Sequence, residues 1–296
     1  MSGEASRIAA FTLLALPVLT MRLVASELAR CGPAAEEIAA GAVTDPPSSP
    51  GIPAIVGTAL LEEAKRYARD GAALVTSPLH WGAEDVRMFA AFAASLGVLL
   101  ATDEQTYQAI QLRRSATTDA ISNATTDFGY SWAWGISGGL IAGGLVTRNP
   151  NMRDTGRDAL EALVFATLIT NILKPIFGRE RPDQADGQTI FHGFTNQYKS
   201  FPSGHATTAF AVASVVAMRT EGWIVPTVAY ALATMVAFDR VNDQAHFVGD
   251  VFAGAAIGVA VGRFVVKRHR GEAGSRAGPE IEIVPIPEGV GARLTF

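Results

Sequence analysis

The 296-residue sequence has one cysteine, Cys31, so neither an intrachain disulfide nor a cysteine-rich metal site can form, and cysteine usage does not fix the compartment. Charge is also sparse. Only 18% of residues are charged, against about a quarter in an average soluble domain. Twenty-four basic and twenty-eight acidic residues leave a net charge of −4, which removes the electrostatic basis for general nucleic-acid binding. What is present in excess is apolar surface: 49% hydrophobic residues and a mean hydropathy of +0.23, too apolar for a disordered chain. The length allows one or two domains with a large core. Composition alone does not say whether the apolar excess lies inside a soluble helical protein or inside a bilayer.

The chain opens with Arg7 and fourteen uncharged residues from Ile8 to Met21. This is the outline of an export signal or N-terminal anchor over residues 1–30, interrupted by Glu4 and Pro17. Leu28-Ala29-Arg30-Cys31 has the shape of a lipid-attachment site, but an arginine before the cysteine fits poorly. Residues 43–53 are crowded with proline and serine and read as a linker, neither helix nor central strand. Ala54–Asp70 follows with amphipathic helical spacing, Ile55, Leu60, Leu61 and Ala64 opposing Glu62, Glu63, Lys65, Arg66 and Arg69. Residues 31–85 are thus linker plus amphipathic helix.

Six uncharged runs come next: Met88–Thr102, Phe128–Thr147, Ala162–Leu173, Ser200–Met218, Gly222–Phe238 and Val251–Gly262. They are rich in alanine, leucine and small residues and lack strand alternation, which predicts an all-α bundle of about six core helices. A spanning helix needs about 20 apolar residues, roughly 17 to 25, and three of the six runs reach that length. Gly254, Gly258 and Gly262 recur every four residues, as do Gly139 and Gly143, a spacing that lets helix backbones approach closely in membranes and equally in a tight soluble bundle.

If all six helices span, Lys65, Arg66, Arg69, Arg87, Arg148, Arg153, Arg157, Arg219, Lys267, Arg268, Arg270 and Arg276 share one side. Positive-inside counting puts that side in the cytoplasm, and the opposite helix ends toward the exterior or periplasm. An exported N-terminus conflicts with this arrangement unless the Ile8–Met21 segment does not cross. The tail, residues 271–296, alternates on both sides of Pro287-Glu288-Gly289 and predicts a small β-hairpin.

Three polar clusters stand at helix ends. Lys174-Pro-Ile-Phe-Gly-Arg-Glu-Arg181-Pro182 sets two cations seven residues apart, with prolines where the helix must end or kink. Phe201-Pro202-Ser203-Gly204-His205 offers an N-cap serine, a glycine that permits close approach, and free amides that cradle an anion. Arg240-Val-Asn-Asp-Gln-Ala-His246-Phe-Val-Gly-Asp250 spaces a histidine and an aspartate as helical neighbours. The aspartate then holds one imidazole nitrogen protonated and leaves the other to attack. Each cluster alone is an ordinary helix terminus. Helix alternation, however, brings all three to one end of a bundle.

In these motifs the sequence resembles the type 2 phosphatidic acid phosphatase (PAP2) superfamily, which also holds bacterial acid phosphatases and vanadium haloperoxidases. Its pattern is lysine, six residues, Arg-Pro; then Pro-Ser-Gly-His; then Ser-Arg, five residues, histidine, three residues, aspartate. One element differs: Asp239 stands where the family usually has serine. The resemblance spans about residues 86–270. It implies that Lys174, Arg181 and Arg240 bind phosphate oxygens, assisted by Ser203 and the Gly204 amide. It further implies that His246 is the nucleophile, oriented by Asp250, and that His205 protonates the leaving oxygen and then activates water. His246 must be neutral and His205 charged, and no metal or other cofactor is needed.

The resemblance leaves several readings to separate. The first is a cell-envelope phosphatase acting on a lipid phosphate or isoprenoid diphosphate held in the membrane. The second is an exported, soluble, nonspecific acid phosphatase. The third is a haloperoxidase, the one case in which vanadate is a cofactor, and the fourth is a noncatalytic membrane binding protein. Of the remaining histidines, His80 and His269 read as structural or solvated, and His192 as a residue at the mouth of the site.

Overall fold

The computed structural model describes residues 52–125, 131–185, 187–276, 280–286 and 289–295. The expected export segment, Cys31 and most of the linker lie outside them. Among the described residues the elements are α1 (Ile52–Thr76), a 3-10 turn (Ser77–His80), α2 (Ala83–Gln111), α3 (Ala116–Thr125), α4 (Ser131–Val146), α5 (Pro150–Phe177), α6 (Gly204–Arg219), α7 (Ile224–Asn242), α8 (Val248–Arg276), and strands β1 (Glu280–Ile286) and β2 (Gly289–Thr295). The architecture is all-α, as the sequence indicates, and the tail forms the expected antiparallel hairpin, Ile286 pairing with Gly289 and Glu280 with Thr295.

α1 begins two residues earlier than its periodicity suggests, inside the expected linker. Pro53 sits in its first turn, where a missing N–H costs nothing. The ten-residue α3 was not expected, because its polar sequence ATTDAISNAT gives no apolar run.

The run lengths misjudge which helices are long. Of the uncharged runs that reach spanning length, Phe128–Thr147 and Ser200–Met218 yield helices of only 16 residues, α4 and α6. Among the described residues, the helices long and apolar enough to cross a membrane are α2, α5, α7 and α8 up to Gly271. Three of these carry charges at functional or capping positions, such as Asp103 in α2, Lys174 in α5 and Asp250 in α8, which cut the uncharged run without ending the helix. Their exposed apolar side chains, among them Met88, Phe89 and Val98 of α2 and Leu168 and Ile172 of α5, give these helices membrane character.

The residues fall into two compact units. The first comprises the described residues through Trp81 and Gly135–Arg157. Here α4 and the start of α5 meet through Gly144, Gly156 and one of the predicted pair: a Cβ at Gly156 would lie 2.7 Å from Ile141 N, one at Gly144 would collide with Arg153 N, and one at Gly143 would lie 2.5 Å from Met152 Cε, whereas one at Gly139 would meet nothing within 4 Å.

The second unit, Gly82–Trp134 with Asp158–Phe296, contains every candidate site residue. Its centre is α6 packed on α8 along the predicted glycine stripe. A Cβ at Gly254 would lie 2.5 Å from Ser203 O and one at Gly262 2.7 Å from Ala211 O, while one at Gly258 would collide with Thr207 O. The missing side chains let the two backbones touch, which registers the start of α6 against the start of α8. α7 covers the other face of α6 through Ala209, Ala213, Ala233 and Val236.

Candidate active site

α5 ends at Gly178, whose φ of +52° suits the left-handed C-cap position. Its N–H reaches Lys174 O at 2.9 Å, and the amides of Gly193, Phe194 and Thr195 fold back onto Phe177 O, Ile176 O and Pro175 O. The last carbonyls of α5 are thereby satisfied by the connection that follows. That connection carries Arg181 and returns to the bundle through the amide of Ser200 on Arg179 O, 2.9 Å. Lys174 is fixed by donating Nζ to Lys199 O at 2.9 Å, and a Cβ at Gly204 would lie 4.0 Å from that Nζ. The first two clusters therefore meet.

Ser203 is the N-cap of α6, its hydroxyl accepting from Ala206 N at 3.5 Å and its own N–H donating to Asp250 O at 2.9 Å. Gly204 and His205 open the helix. From α7, Arg240 is buried and lies within electrostatic reach of His205, as do Lys174, Arg181 and His246. All eight predicted site residues are thus brought to one end of the second unit.

His246 differs in one respect from the sequence reading. It lies in the turn before α8, not on the helix with Asp250. The pair still meets, Nδ1 to Oδ2 at 3.5 Å, because Asp250 is the third residue of α8 and reaches back to accept the N–H of Phe247 at 3.0 Å, the carboxylate half of a capping box. Ser200 joins them, donating Oγ–H to Asp250 Oδ2 at 2.6 Å and lying 3.4 Å from His246 Nδ1. With Nδ1 turned to this pair, Nε2 is the nitrogen left for attack.

Burial pushes His246 below the ordinary histidine value; Asp250 opposes the shift, and Lys174 and Arg181 reinforce it. Burial, followed by Arg240, His246, Lys174 and Arg181, lowers His205 to about 3. The protein's own groups hold both rings neutral near pH 7. The expected contrast, a charged His205 beside a neutral His246, therefore needs the negative charge of a phosphoryl group.

Residues 156–272 match the family model described as the PAP2 superfamily. The matched stretch is similar to that superfamily over about two fifths of the chain. Lipid phosphate phosphatase 2 of Arabidopsis thaliana is 31% identical, over 36% of this chain and 49% of that protein. Lipid A 1-phosphatase of Rhizobium etli is 37% identical, over 32% of this chain and 42% of that protein. The chain thus spans about half, or less, of these curated relatives. The crystal structure of the first transmembrane PAP2-type phosphatidylglycerolphosphate phosphatase from Bacillus subtilis shares the helical fold, with a TM-score of 0.50 and 23% identity over 62% of this chain and 96% of that one.

The matched stretch contains all eight predicted residues and two that the sequence reading did not single out. Ser200 precedes the second cluster, and Arg179 lies within the first. Both are fully buried against Asp250. A third, Asp103, comes from α2, outside the matched stretch, and is also buried. Its signal was faint but present, as the first charge after the apolar run Met88–Thr102. Of the other histidines, His192 pairs with Glu180 at 2.6 Å and stacks on Tyr198. His80 is exposed, and His269 is held by Asp158 at 2.6 Å.

Proposed function

We propose that this chain is a metal-independent phosphatase that hydrolyses a lipid phosphate monoester through a phosphohistidine intermediate. The observation that carries this reading is the convergence of Lys174, Arg181 and Arg240 on two histidines, one of which is held by a buried aspartate. A phosphate monoester brings about two negative charges and a poor alkoxide leaving group. The three cations, with Ser203 and the Gly204 amide, neutralise the charge and stabilise the equatorial oxygens. Nε2 of His246 attacks phosphorus as the P–O bond to the leaving group breaks. His205, which gains its proton with the dianion, gives it to the departing oxygen. Neutral His205 then takes a proton from water, the hydroxide attacks phosphorus, and the P–N bond breaks to return His246 and release inorganic phosphate. These side chains supply charge neutralisation, nucleophile and acid, so the scheme assigns no step to a metal.

The lipid substrate class is supported by the names of the relatives, lipid phosphate phosphatase and lipid A 1-phosphatase, and by the four long apolar helices beside the site. A tail left in the bilayer while the head group enters the polar helix ends suits that arrangement. The basic residues on the opposite helix ends support an exterior or periplasmic face for the site. Phosphate release from phosphatidate in mixed micelles and from a small soluble ester, with and without EDTA, tests the proposal. Release that favours the lipid and survives chelation is expected. Loss of activity with EDTA in a folded protein, or a preference for the soluble ester by protein that needs no detergent, overturns it.

A further inference from the structure

Behind the His246 and Asp250 pair lies a second buried charge pair that the mechanism above does not use. Arg179 is fully buried. It donates Nη1–H to Asp250 Oδ1 at 2.6 Å and Nη2–H to Asp103 Oδ2 at 2.8 Å. Its guanidinium carbon lies 4.2 Å from the centre of the Phe247 ring and 4.9 Å from that of Phe191, so the cation is also held over two aromatic faces. Asp103 is fixed in turn by accepting the N–H of Gly249 at 2.9 Å. It caps the second residue of α8 from a different helix, where a carboxylate complements the helix dipole. A Cβ at Gly249 would lie 2.6 Å from Asp103 Oδ2, so the glycine makes room for that approach.

We infer that Arg179 and Asp103 are positioning residues that set the orientation and the net charge Asp250 presents to His246. The inference rests on the reading of His246 as nucleophile. A fully buried carboxylate without Arg179 would exert its whole charge on the imidazole, whereas a buried arginine without Asp103 would cancel more of it. The other charged or titratable groups facing the site are Lys174 from α5, Arg181 from the connection, His205 from α6 and Arg240 from α7. All four are unchanged in the variants that test the inference.

The test is ¹⁵N-histidine NMR of His246 in the full-length, detergent-solubilised protein across pH, with phosphate release measured in parallel. Arg179→Gln should raise the titration midpoint of His246 by about one pH unit and move the acid limb of the rate profile upward with it. Asp103→Asn should move the midpoint the opposite way. The double variant, which restores charge balance, should return it toward the parent, and Arg179→Lys should fall between parent and Arg179→Gln. Shifts of the same sign in both single variants, or no shift in a folded protein, overturn the inference. Should Arg179→Gln not fold, Asp103→Asn and Arg179→Lys decide it. Opposite shifts in a protein that releases no phosphate from any ester would uphold the charge relay and discard the phosphatase reading.

Discussion

Asp239 holds the guanidinium of the residue that follows it: its Oδ2 accepts Nε–H of Arg240 at 2.9 Å and also contacts Nη2. The Ser122 hydroxyl of α3 lies between the other oxygen of Asp239 and Asp243 Oδ1, 2.8 Å from the latter, with one proton to share between them, and Asp243 stands 3.6 Å from Arg240. A family serine at position 239 would leave Arg240 one buried carboxylate fewer. The aspartate therefore orients the cation proposed to bind phosphate and offsets part of its charge.

Asp239→Ser should consequently bind inorganic phosphate more tightly. Removing one negative charge a few ångströms behind Arg240 strengthens anion binding by about tenfold, taking an effective dielectric near 20 and allowing for the charge Arg240 itself screens. Asp243 remains to hold the guanidinium. The check is the inhibition constant for phosphate. Weaker inhibition in Asp239→Ser would mean that orientation, not charge, is what Asp239 supplies.

The two histidines should separate by leaving group. His246→Ala removes the nucleophile and should abolish turnover of every ester. In the proposed scheme His205→Ala removes the proton donor of the first step, a loss of about 10²–10⁴ for an alkyl phosphate, and also the base of the water step, but p-nitrophenolate departs with little need of a proton. The defect of His205→Ala in the first step, read in a single turnover, should be at least tenfold smaller with p-nitrophenyl phosphate, and labelled enzyme denatured under alkaline conditions should carry phosphohistidine. Equal defects on both esters would remove His205 from the acid role.

Much of this site was legible in the sequence because its residues are close together in the chain and fixed by helix ends. Ser203 as N-cap, the glycine stripe from Gly254 to Gly262 and the meeting of the three clusters all follow from local spacing. The structure adds what spacing cannot carry. Asp103 reaches Arg179 and Gly249 across many intervening residues, and nothing near residue 103 announces those partners. The same limit explains the helix lengths: charges buried by distant partners, such as Asp103 and Asp250, look from the sequence like the ends of apolar runs. Gly139 fits the small-residue spacing, yet a side chain there would meet nothing within 4 Å, whereas Ser137, Ile141 and Gly144 are among the α4 residues that approach α5.

Phosphate binding should carry a proton into the protein. The protein's own groups keep His205 at about 3, mainly through burial and then through the cations that await the substrate. A dianion among those cations reverses their effect on His205. Between pH 5.5 and 7.5, vanadate or phosphate binding should take up close to one proton where the ligand is dianionic, measured by calorimetry in buffers of different ionisation enthalpy. His205→Asn should reduce the uptake, and an unchanged uptake would place the proton elsewhere. Below the ordinary histidine value of 6.5, the unfolded chain protonates His205 and the folded one resists. The stability contributed by the neutral ring is present above pH 6.5 and lost as pH falls, and saturating phosphate should lessen that loss.

Gly258 and Gly139 provide matched tests of the α6–α8 contact. A methyl at Gly258 would collide with Thr207 O and lie 2.8 Å from Ala211 N, so α6 must move away from α8, taking Ser203, Gly204 and His205 with it. Backbone contacts cannot yield as a flexible side chain does, and Gly258→Ala should cost on the order of 1–3 kcal/mol, the range for overpacking, with a lowered melting temperature and a larger fall in kcat than in phosphate affinity. A methyl at Gly139 meets nothing within 4 Å, and replacing a helical glycine by alanine gains up to about 1 kcal/mol. Gly139→Ala should therefore melt at or above the parent temperature with unchanged turnover. If Gly258→Ala behaved like Gly139→Ala, the close approach of α6 and α8 would not be what registers the phosphate site.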